Sequence, residues 1–108
     1  MIKVSKYRNR KTLVDGIQFD SQKEADRYQE LLWMQQARLI QDLELQPRYD
    51  LVVNTHKIGF YRADFRYEVV ATSILIGEDV KSPATKTAVY CLKKKLMKAL
   101  YGIEIVEV

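Results

Sequence analysis

Apolar residues cluster within residues 61–82, on either side of a small polar break near Thr72. Both sides of the break are rich in valine, isoleucine, tyrosine and phenylalanine, which is typical of two β-strands joined by a short connection. If the turn centres near Thr72, the register places Asp64 opposite Asp79 or Val80. The pattern therefore predicts an antiparallel hairpin that brings two carboxylates together.

Side-chain alternation decides which residues of the second strand share a face. Asp79 and Lys81 project to one side. Glu78 and Val80 project to the other, which makes Glu78 the weaker candidate for a ligand. Like charges on neighbouring strands repel each other, so Asp64 and Asp79 call for a compensating cation. Oxygen ligands at this spacing suit Mg²⁺, which binds one or two carboxylates together with substrate phosphate.

The same carboxylates have a second interpretation. Arg62 and Arg66 share the predicted face of Asp64, so these residues can form a solvated, charge-paired sheet surface that contributes little to stability. Strand alternation alone favours this second interpretation, because charged residues usually lie on solvated faces.

Shorter patterns predict the elements around this hairpin. Asp15-Gly16 separates two short β-prone runs and predicts a first, small hairpin. Further predicted elements are a helix at residues 22–38, strands at 40–47 and 49–53, a turn at 54–59, a helix at 88–101 ended by Gly102, and a strand at 103–108. On the first helix the apolar stripe is Ala25, Tyr28, Leu31 and Leu32, and Trp33 and Met34 are also expected to pack. On the second helix the apolar stripe is Val89, Leu92, Leu96, Ala99 and Leu100.

Glu24 combines a structural signal with a functional one. Ser21, followed three residues later by Glu24, matches a capping box at the start of the first helix. At about 100° per residue, Glu24 also lies on the side of the apolar residues Tyr28 and Leu31. A carboxylate on an inward face needs a partner, which a metal or a backbone amide can provide.

A length of 108 residues fits one domain with its own core. No apolar run approaches the roughly 18 residues of a membrane span, and the N-terminus lacks the apolar segment of a secretory signal, so we expect a soluble, intracellular protein. The single cysteine, Cys91, excludes an intrachain disulfide. The single histidine, His56, lies in a predicted polar loop and receives no role, so no Ser-His-Asp or Cys-His arrangement is expected.

The net charge of +4 is unevenly distributed. Residues 1–11 and residues 80–103 carry basic side chains and no acidic ones, and basic charge on this scale attracts phosphate. The candidate DNA-binding residues are Lys6, Arg8, Arg10, Lys11, Lys86, Lys94, Lys95 and Lys98. Both groups also have a simpler interpretation, as a charged terminus that favours solubility and as the solvated face of a helix.

Five short strings occur in a characteristic order along the chain. They are Phe19-Asp20-Ser21-Gln22-Lys23-Glu24-Ala25, Leu45-Gln46-Pro47, Tyr61-Arg62-Ala63-Asp64-Phe65, Glu78-Asp79-Val80-Lys81 and Tyr101-Gly102-Ile103-Glu104-Ile105. Together they resemble a family of small phage and prophage proteins of the PD-(D/E)XK nuclease superfamily. The resemblance implies an α/β fold with a restriction-endonuclease-like αβββαβ core, in which helices flank a mixed central sheet. It also implies that residues 1–108 form a single nuclease domain whose residues 1–11 are a basic arm.

The resemblance implies a role for each residue at a matching position. Asp64 and Asp79 would be metal ligands, the Val80 backbone carbonyl would add an oxygen, Lys81 would position or activate water, Glu24 would be the acid contributed by the first helix, and Gln46 would support the ligands. One position departs from the superfamily pattern, because Ala63-Asp64 stands where Pro-Asp is usual. Proline is not a ligand, so this difference leaves the proposed metal ligands in place.

These roles lead to a specific expectation about activity. We expect a DNA endonuclease that hydrolyses phosphodiester bonds with Mg²⁺, for which Mn²⁺ would substitute. The similarity to Holliday-junction resolvases favours branched DNA as substrate and a homodimer as the working form, in the cytoplasm of a bacterial host if the protein is phage-encoded. The alternative is a non-catalytic basic module that binds nucleic acid, or an accessory subunit.

Overall fold

The structure is a computed structural model that describes residues 12–80 and 87–108. Its elements, in chain order, are β1 (Thr12–Val14), β2 (Ile17–Phe19), α1 (Gln22–Gln36), β3 (Ile40–Leu45), β4 (Arg48–Val53), β5 (His56–Arg62), β6 (Phe65–Val69), β7 (Ile74–Asp79), α2 (Ala88–Tyr101) and β8 (Ile103–Glu107). Lys81, Lys86 and the predicted basic arm, with Lys6, Arg8, Arg10 and Lys11, lie outside the described residues.

The central sheet has the strand order β3-β6-β7-β8. Strand β6 runs antiparallel to both β3 and β7, whereas β8 runs parallel to β7. Parallel neighbours need a crossover, and α2 supplies it between β7 and β8. With α1 before β3, the central sheet and its two helices follow the order αβββαβ, into which the β4–β5 hairpin is inserted. The predicted α/β fold with a mixed central sheet and flanking helices is therefore confirmed.

The register of the β6–β7 hairpin agrees with the sequence-based prediction. Val69 pairs with Ile74 at the turn and Phe65 pairs with Glu78 at the far end. One step further along this register lies the pair of Asp64 and Asp79, which is one of the two pairings that a turn near Thr72 predicts. The two carboxylate-bearing positions therefore come together at one edge of the sheet.

The predicted hairpin is nevertheless shorter at its first strand, because Tyr61 and Arg62 belong to β5 and pair with β4. The change of partner strand occurs at Pro47. The Ala63 amide donates to the Pro47 carbonyl at 3.2 Å, while the Gln46 amide donates to the Asp64 carbonyl at 2.9 Å. Proline has no N–H to continue a ladder, so both strands leave one sheet and enter the other at this point.

Two apolar clusters lie on opposite faces of the central sheet. One lies between α1 and the sheet and is built on Phe19, Ala25, Tyr28, Leu31, Ile40, Phe65 and Tyr67. The other joins α2 to the sheet and to the β4–β5 hairpin through Leu51, Tyr61, Ala63, Tyr90, Met97, Ile103 and Ile105. Burying a large apolar side chain contributes about 1.5–3 kcal/mol, so these clusters are the main favourable term in folding.

Five residues that were predicted to pack inward are exposed. Trp33 on α1 is 71% exposed, whereas Met34 packs against the first cluster. On α2, Val89 and Leu92 are 62% and 55% exposed. The inward residues of α2 are Tyr90 and Met97, because the helix is rotated to bring the Tyr90 ring against Tyr61. Leu96 also packs against this cluster, but Ala99 and Leu100 are exposed.

The predicted turn at residues 54–59 is also too long. Asn54 and Thr55 alone form it, both with positive φ, and His56 begins β5. Two consecutive left-handed residues match the twist of a tight two-residue hairpin, so the chain turns back at once. His56 therefore lies at the start of a strand and not in a loop.

Gly77 on β7 lies against the side chains of Ile103 and Ile105 on β8. A Cβ atom at Gly77 would lie 2.6 Å from Ile105 Cδ1 and 3.3 Å from Ile103 Cγ2. We expect Gly77→Ala to lower the free energy of unfolding by about 1–3 kcal/mol through overpacking, as measured by urea denaturation. Gly59→Ala is the matched control, since a Cβ atom there meets nothing within 4 Å. Equal losses in the two variants would contradict the proposed close approach.

Candidate active site

The end of β7 holds Asp64 and Asp79 close to each other through backbone contacts. The Asp64 amide donates to the Glu78 carbonyl at 2.9 Å, and the Val80 amide donates to Asp64 Oδ2 at 2.7 Å. Asp64 sits directly before β6, at the point where the chain crosses between the two sheets. Its carboxylate is thereby anchored to the strand that carries Asp79.

Glu78 and Asp79 project to opposite faces of the sheet, as strand alternation predicts. Glu78 faces α1, where Arg27 Nε and Nη2 donate to its two carboxylate oxygens at 2.7 Å each. The Tyr67 hydroxyl also donates to Glu78. Glu78 is 1% exposed, and the bidentate contact with the Arg27 guanidinium neutralises its charge. Glu78 therefore serves the fold, which agrees with its weaker standing as a ligand.

Asp79 faces α2 and lies among tyrosine side chains. The Tyr61 hydroxyl donates to Asp79 Oδ2. Burial, together with the hydrogen bond to Asp79 and its charge, raises the pKa of Tyr61 well above its usual range. Burial and the charge of Asp79 likewise raise the pKa of Tyr90. Both tyrosines are therefore neutral hydroxyls at any physiological pH, able to donate hydrogen bonds to a carboxylate.

Neither tyrosine was predicted to belong to the site. Tyr61 has a weak signal in the sequence, since it precedes Asp64 within the same short string. Tyr90 has none, because its contact depends on the rotation of α2. A third unpredicted neighbour is Glu107, which pairs with Asp79 across the parallel β7–β8 ladder.

Glu24 on α1 is a further buried carboxyl among the predicted site residues. It is 5% exposed, and its Oε1 atom has no hydrogen-bond partner among the described residues. Burial raises the pKa of Glu24 from 4.5 to about 7, and the charges of Asp64 and Asp20 add to the increase. A hydrogen bond from the Gln46 side chain lowers the pKa in part, and the charge of Asp79 contributes a smaller increase.

The capping interpretation of Glu24 holds for its backbone. Ser21 is the N-cap of α1, and its Oγ accepts a hydrogen bond from the Glu24 amide at 3.1 Å. The pKa of the Glu24 side chain, in contrast, is shifted by its burial, by Gln46 and by the charges of Asp64, Asp20 and Asp79. Gln46 also donates its backbone amide to Asp64, so it lies beside two of the predicted site residues.

The interpretation of a solvated, charge-paired surface is wrong for Asp79, which is only 3% exposed. Arg66, which was expected beside Asp64, instead forms an ion pair with Glu44 at 2.8 Å. A carboxylate buried to this extent requires strong partners or a raised pKa, so the group is not an ordinary sheet surface.

The carboxylate oxygens of Glu24, Asp64 and Asp79 are the type of ligand that a hard cation such as Mg²⁺ prefers. The charges of Asp64 and, more weakly, Asp79 raise the pKa of Glu24, so the three carboxylates influence one another. Within residues 12–80 and 87–108, however, no three histidine, cysteine or acidic side chains converge tightly enough to form a metal site by themselves. A carbonyl, water or phosphate oxygen would have to complete any coordination, which is usual for Mg²⁺.

Two of the candidate DNA-binding lysines on α2 have acidic partners in space, although the helix itself carries no acid. Lys98 Nζ lies 3.2 Å from Glu104 Oε2, and Lys94 Nζ lies 3.8 Å from Glu107 Oε2. The acids come from β8, next to the helix in space, and not from the helix itself. Lys95 is exposed.

Comparison with known proteins places the chain in a family. The model of the family described as "Protein of unknown function (DUF1064)" matches residues 4–105. The chain belongs to the DUF1064 family. No curated protein and no solved structure matches this DUF1064 chain. In the part of the DUF1064 chain that the structure describes, neither helix is long and apolar enough to cross a membrane.

Proposed function

We propose that this DUF1064 protein is an endonuclease that hydrolyses phosphodiester bonds of DNA with the help of Mg²⁺. The observation that supports this proposal most strongly is Glu24, a buried carboxyl with an unpartnered oxygen and a pKa raised to about 7 by burial and by Asp64. A group of this kind is unfavourable for the fold alone, and such groups concentrate at functional sites. A cation shared with Asp64 and Asp79 would relieve the cost.

The residues of the chain would divide the work as follows. Asp64, Asp79 and Glu24 would hold the cation, with the Val80 carbonyl as a further oxygen and Lys81 as a fixed positive charge near the reacting phosphate. When bound, Mg²⁺ would lower the pKa of water and neutralise charge that develops on the phosphate. Gln46 would orient Glu24.

Tyr61 and Tyr90 add a positioning role to this division of work. Tyr61 donates to Asp79, and burial keeps both phenols protonated. A metal-binding carboxylate is usually oriented by a hydrogen bond from a neighbouring group. Tyr61 would therefore fix the orientation of Asp79 at the end of β7.

The test is cleavage of labelled linear duplex, flap and four-way junction DNA by the purified protein. We expect incision with Mg²⁺ or Mn²⁺ and none in EDTA, and preference for the junction. Asp79→Asn, prepared identically, controls for contaminating nuclease. A protein that cleaves none of the three substrates with either metal would overturn the nuclease, and retained DNA binding would then favour a non-catalytic nucleic-acid-binding module.

The proposed substrate shape also implies an oligomeric state. A four-way junction presents two equivalent strands, and a twofold homodimer supplies two equivalent sites at a fixed separation. Sedimentation of the free protein should therefore give twice the mass of one chain. A monomer with equal affinity for junction and linear duplex would overturn the junction-specific activity and leave a general nuclease.

A further inference from the structure

A groove runs between β5 and the first half of α2. Its volume is about 270 Å³, and its lining includes Phe60, Tyr61, Arg62, Val89, Tyr90 and Lys93. Among residues 12–80 and 87–108, no acidic side chain lines this groove, although Asp79 lies just beyond Tyr61. The groove thus combines two cations with aromatic and apolar surface.

Several other basic side chains of the strands and of α2 are engaged in ion pairs. Lys57, Arg66, Lys94 and Lys98 each have a carboxylate partner within 4 Å. Arg62 and Lys93 have no ion pair with a described residue, and Arg62 is exposed. Their charge is therefore available to an anionic ligand.

Phe60 holds cations from two separate elements next to the groove. The Arg48 guanidinium carbon lies 4.1 Å from the centre of its ring, and Lys93 Nζ lies 5.4 Å from it. Contact with an aromatic ring positions a cation without neutralising it, in contrast to an ion pair. Arg48 also lies 3.8 Å from Asp50, which reduces its free charge. Phe60 is itself 42% exposed and adds an apolar surface.

The floor of the groove connects directly to the candidate active site. Tyr61 and Tyr90 line the groove, their rings lie 6.4 Å apart, and the Tyr61 hydroxyl donates to Asp79. A ligand strand in the groove would therefore be separated from Asp79 only by the Tyr61 side chain.

We propose that this groove binds the sugar–phosphate backbone of a nucleic-acid strand as it leaves the candidate active site. Arg62 and Lys93 contact successive phosphates, while Phe60 and Val89 contact the sugars or an unstacked base. Open grooves that combine unpaired cations with aromatic rings suit a nucleic-acid strand, whose charge repeats along an apolar frame. The proposal rests on the proposed function for the direction of the strand, although not for the binding itself.

The test is binding of the full-length protein to a fluorescent single strand of about 20 nucleotides, and to the matching duplex, in EDTA over a series of salt concentrations. Each lost phosphate contact reduces the slope of log K against log salt by about 0.7–0.9. The double variant Arg62→Gln and Lys93→Gln should lower affinity at least about 10-fold and reduce the slope by about 1.4–1.8. Phe60→Leu should weaken binding while leaving the slope nearly unchanged, because both charges remain.

Lys57→Gln is the matched control. It removes the same charge from the same strand as Arg62→Gln, but from a lysine that is already paired with Asp50. It should bind like the wild type, and all variants should keep the wild-type melting temperature. If the folded double variant kept the wild-type salt slope, the proposed binding of nucleic acid in the groove would be rejected. It would also be rejected if polyglutamate competed for the protein as effectively as an unlabelled oligonucleotide, a result that would indicate an acidic protein partner.

Measurement in EDTA separates this proposal from the nuclease. If the wild type cleaves no DNA but the double variant shows lower affinity and a smaller salt slope, the groove proposal is supported and the nuclease proposal is rejected. If the wild type cleaves DNA and the double variant binds with the wild-type salt slope, the nuclease proposal is supported and the groove proposal is rejected.

Discussion

Asp79→Asn should abolish DNA cleavage while leaving the fold intact. Asparagine keeps an oxygen that accepts the hydrogen bond from Tyr61, but it removes the charge that a cation needs. We expect cleavage to fall by at least about 10²–10³-fold, in line with the loss of a ligand or a charge-stabilising group at a reacting centre. DNA binding in EDTA should be unchanged or tighter, because one repulsive charge is lost. Asp64→Asn should behave in the same way.

Glu78→Gln provides the control from the neighbouring position. It makes the same chemical change one residue away but on the other face of the sheet, where it breaks the double contact with Arg27. Disrupting a buried ion pair on one side costs about 3–5 kcal/mol, so we expect a large loss of stability. Cleavage by the folded protein should remain near the wild-type rate. Near-normal cleavage by Asp79→Asn, or a greater loss in folded Glu78→Gln, would remove Asp79 from the active site.

Glu24→Gln should make the protein more stable at alkaline pH. The pKa of Glu24 is about 7 in the folded chain and 4.5 in its ordinary state, so the folded protein binds more protons between these values. Stability of the wild type must therefore fall as pH rises through this window and level off above it. The shift corresponds to roughly 3 kcal/mol, which the variant should recover at pH values above about 7 and not below about 4.5.

Urea denaturation at several pH values measures this effect. Glu30→Gln is the matched control on the same helix, because its side chain is 59% exposed and its contact with Arg27 is a surface pair. It should change stability by less than about 1 kcal/mol at every pH. If Glu24 acted only through the helix cap, the variant would lose up to about 1 kcal/mol and keep the wild-type pH profile.

Mg²⁺ separates a metal ligand from an isolated buried acid. A cation that binds the ionised site stabilises the folded protein in proportion to its affinity, so Mg²⁺ should raise the melting temperature of the wild type more at pH 8 than at pH 5. Glu24→Gln should weaken this response. An altered pH profile together with no response to Mg²⁺ would retain the buried acid and reject the metal site.

The sequence alone determined the features that depend on neighbours in the chain. A small polar turn limited the partner of Asp64 to Asp79 or Val80, and strand alternation placed Glu78 and Asp79 on opposite faces, because a hairpin register is a local property. The caps of both helices were likewise predicted from single residues, Ser21 and Gly102. The role of each acid came from a resemblance and stays a prediction.

Only the tertiary structure decided which distant side chains meet. The rotation of α2 turned Tyr90 inward and left Val89 and Leu92 exposed, although the pattern predicted the reverse. Acids on β8 neutralised lysines that lack partners on their own helix, and Pro47 moved Tyr61 into a separate hairpin where it contacts Asp79. Such contacts join residues far apart in the chain, so the periodicity of the sequence does not encode them. The rotation of each helix about its axis is set by side-chain packing against the sheet and not by local propensity.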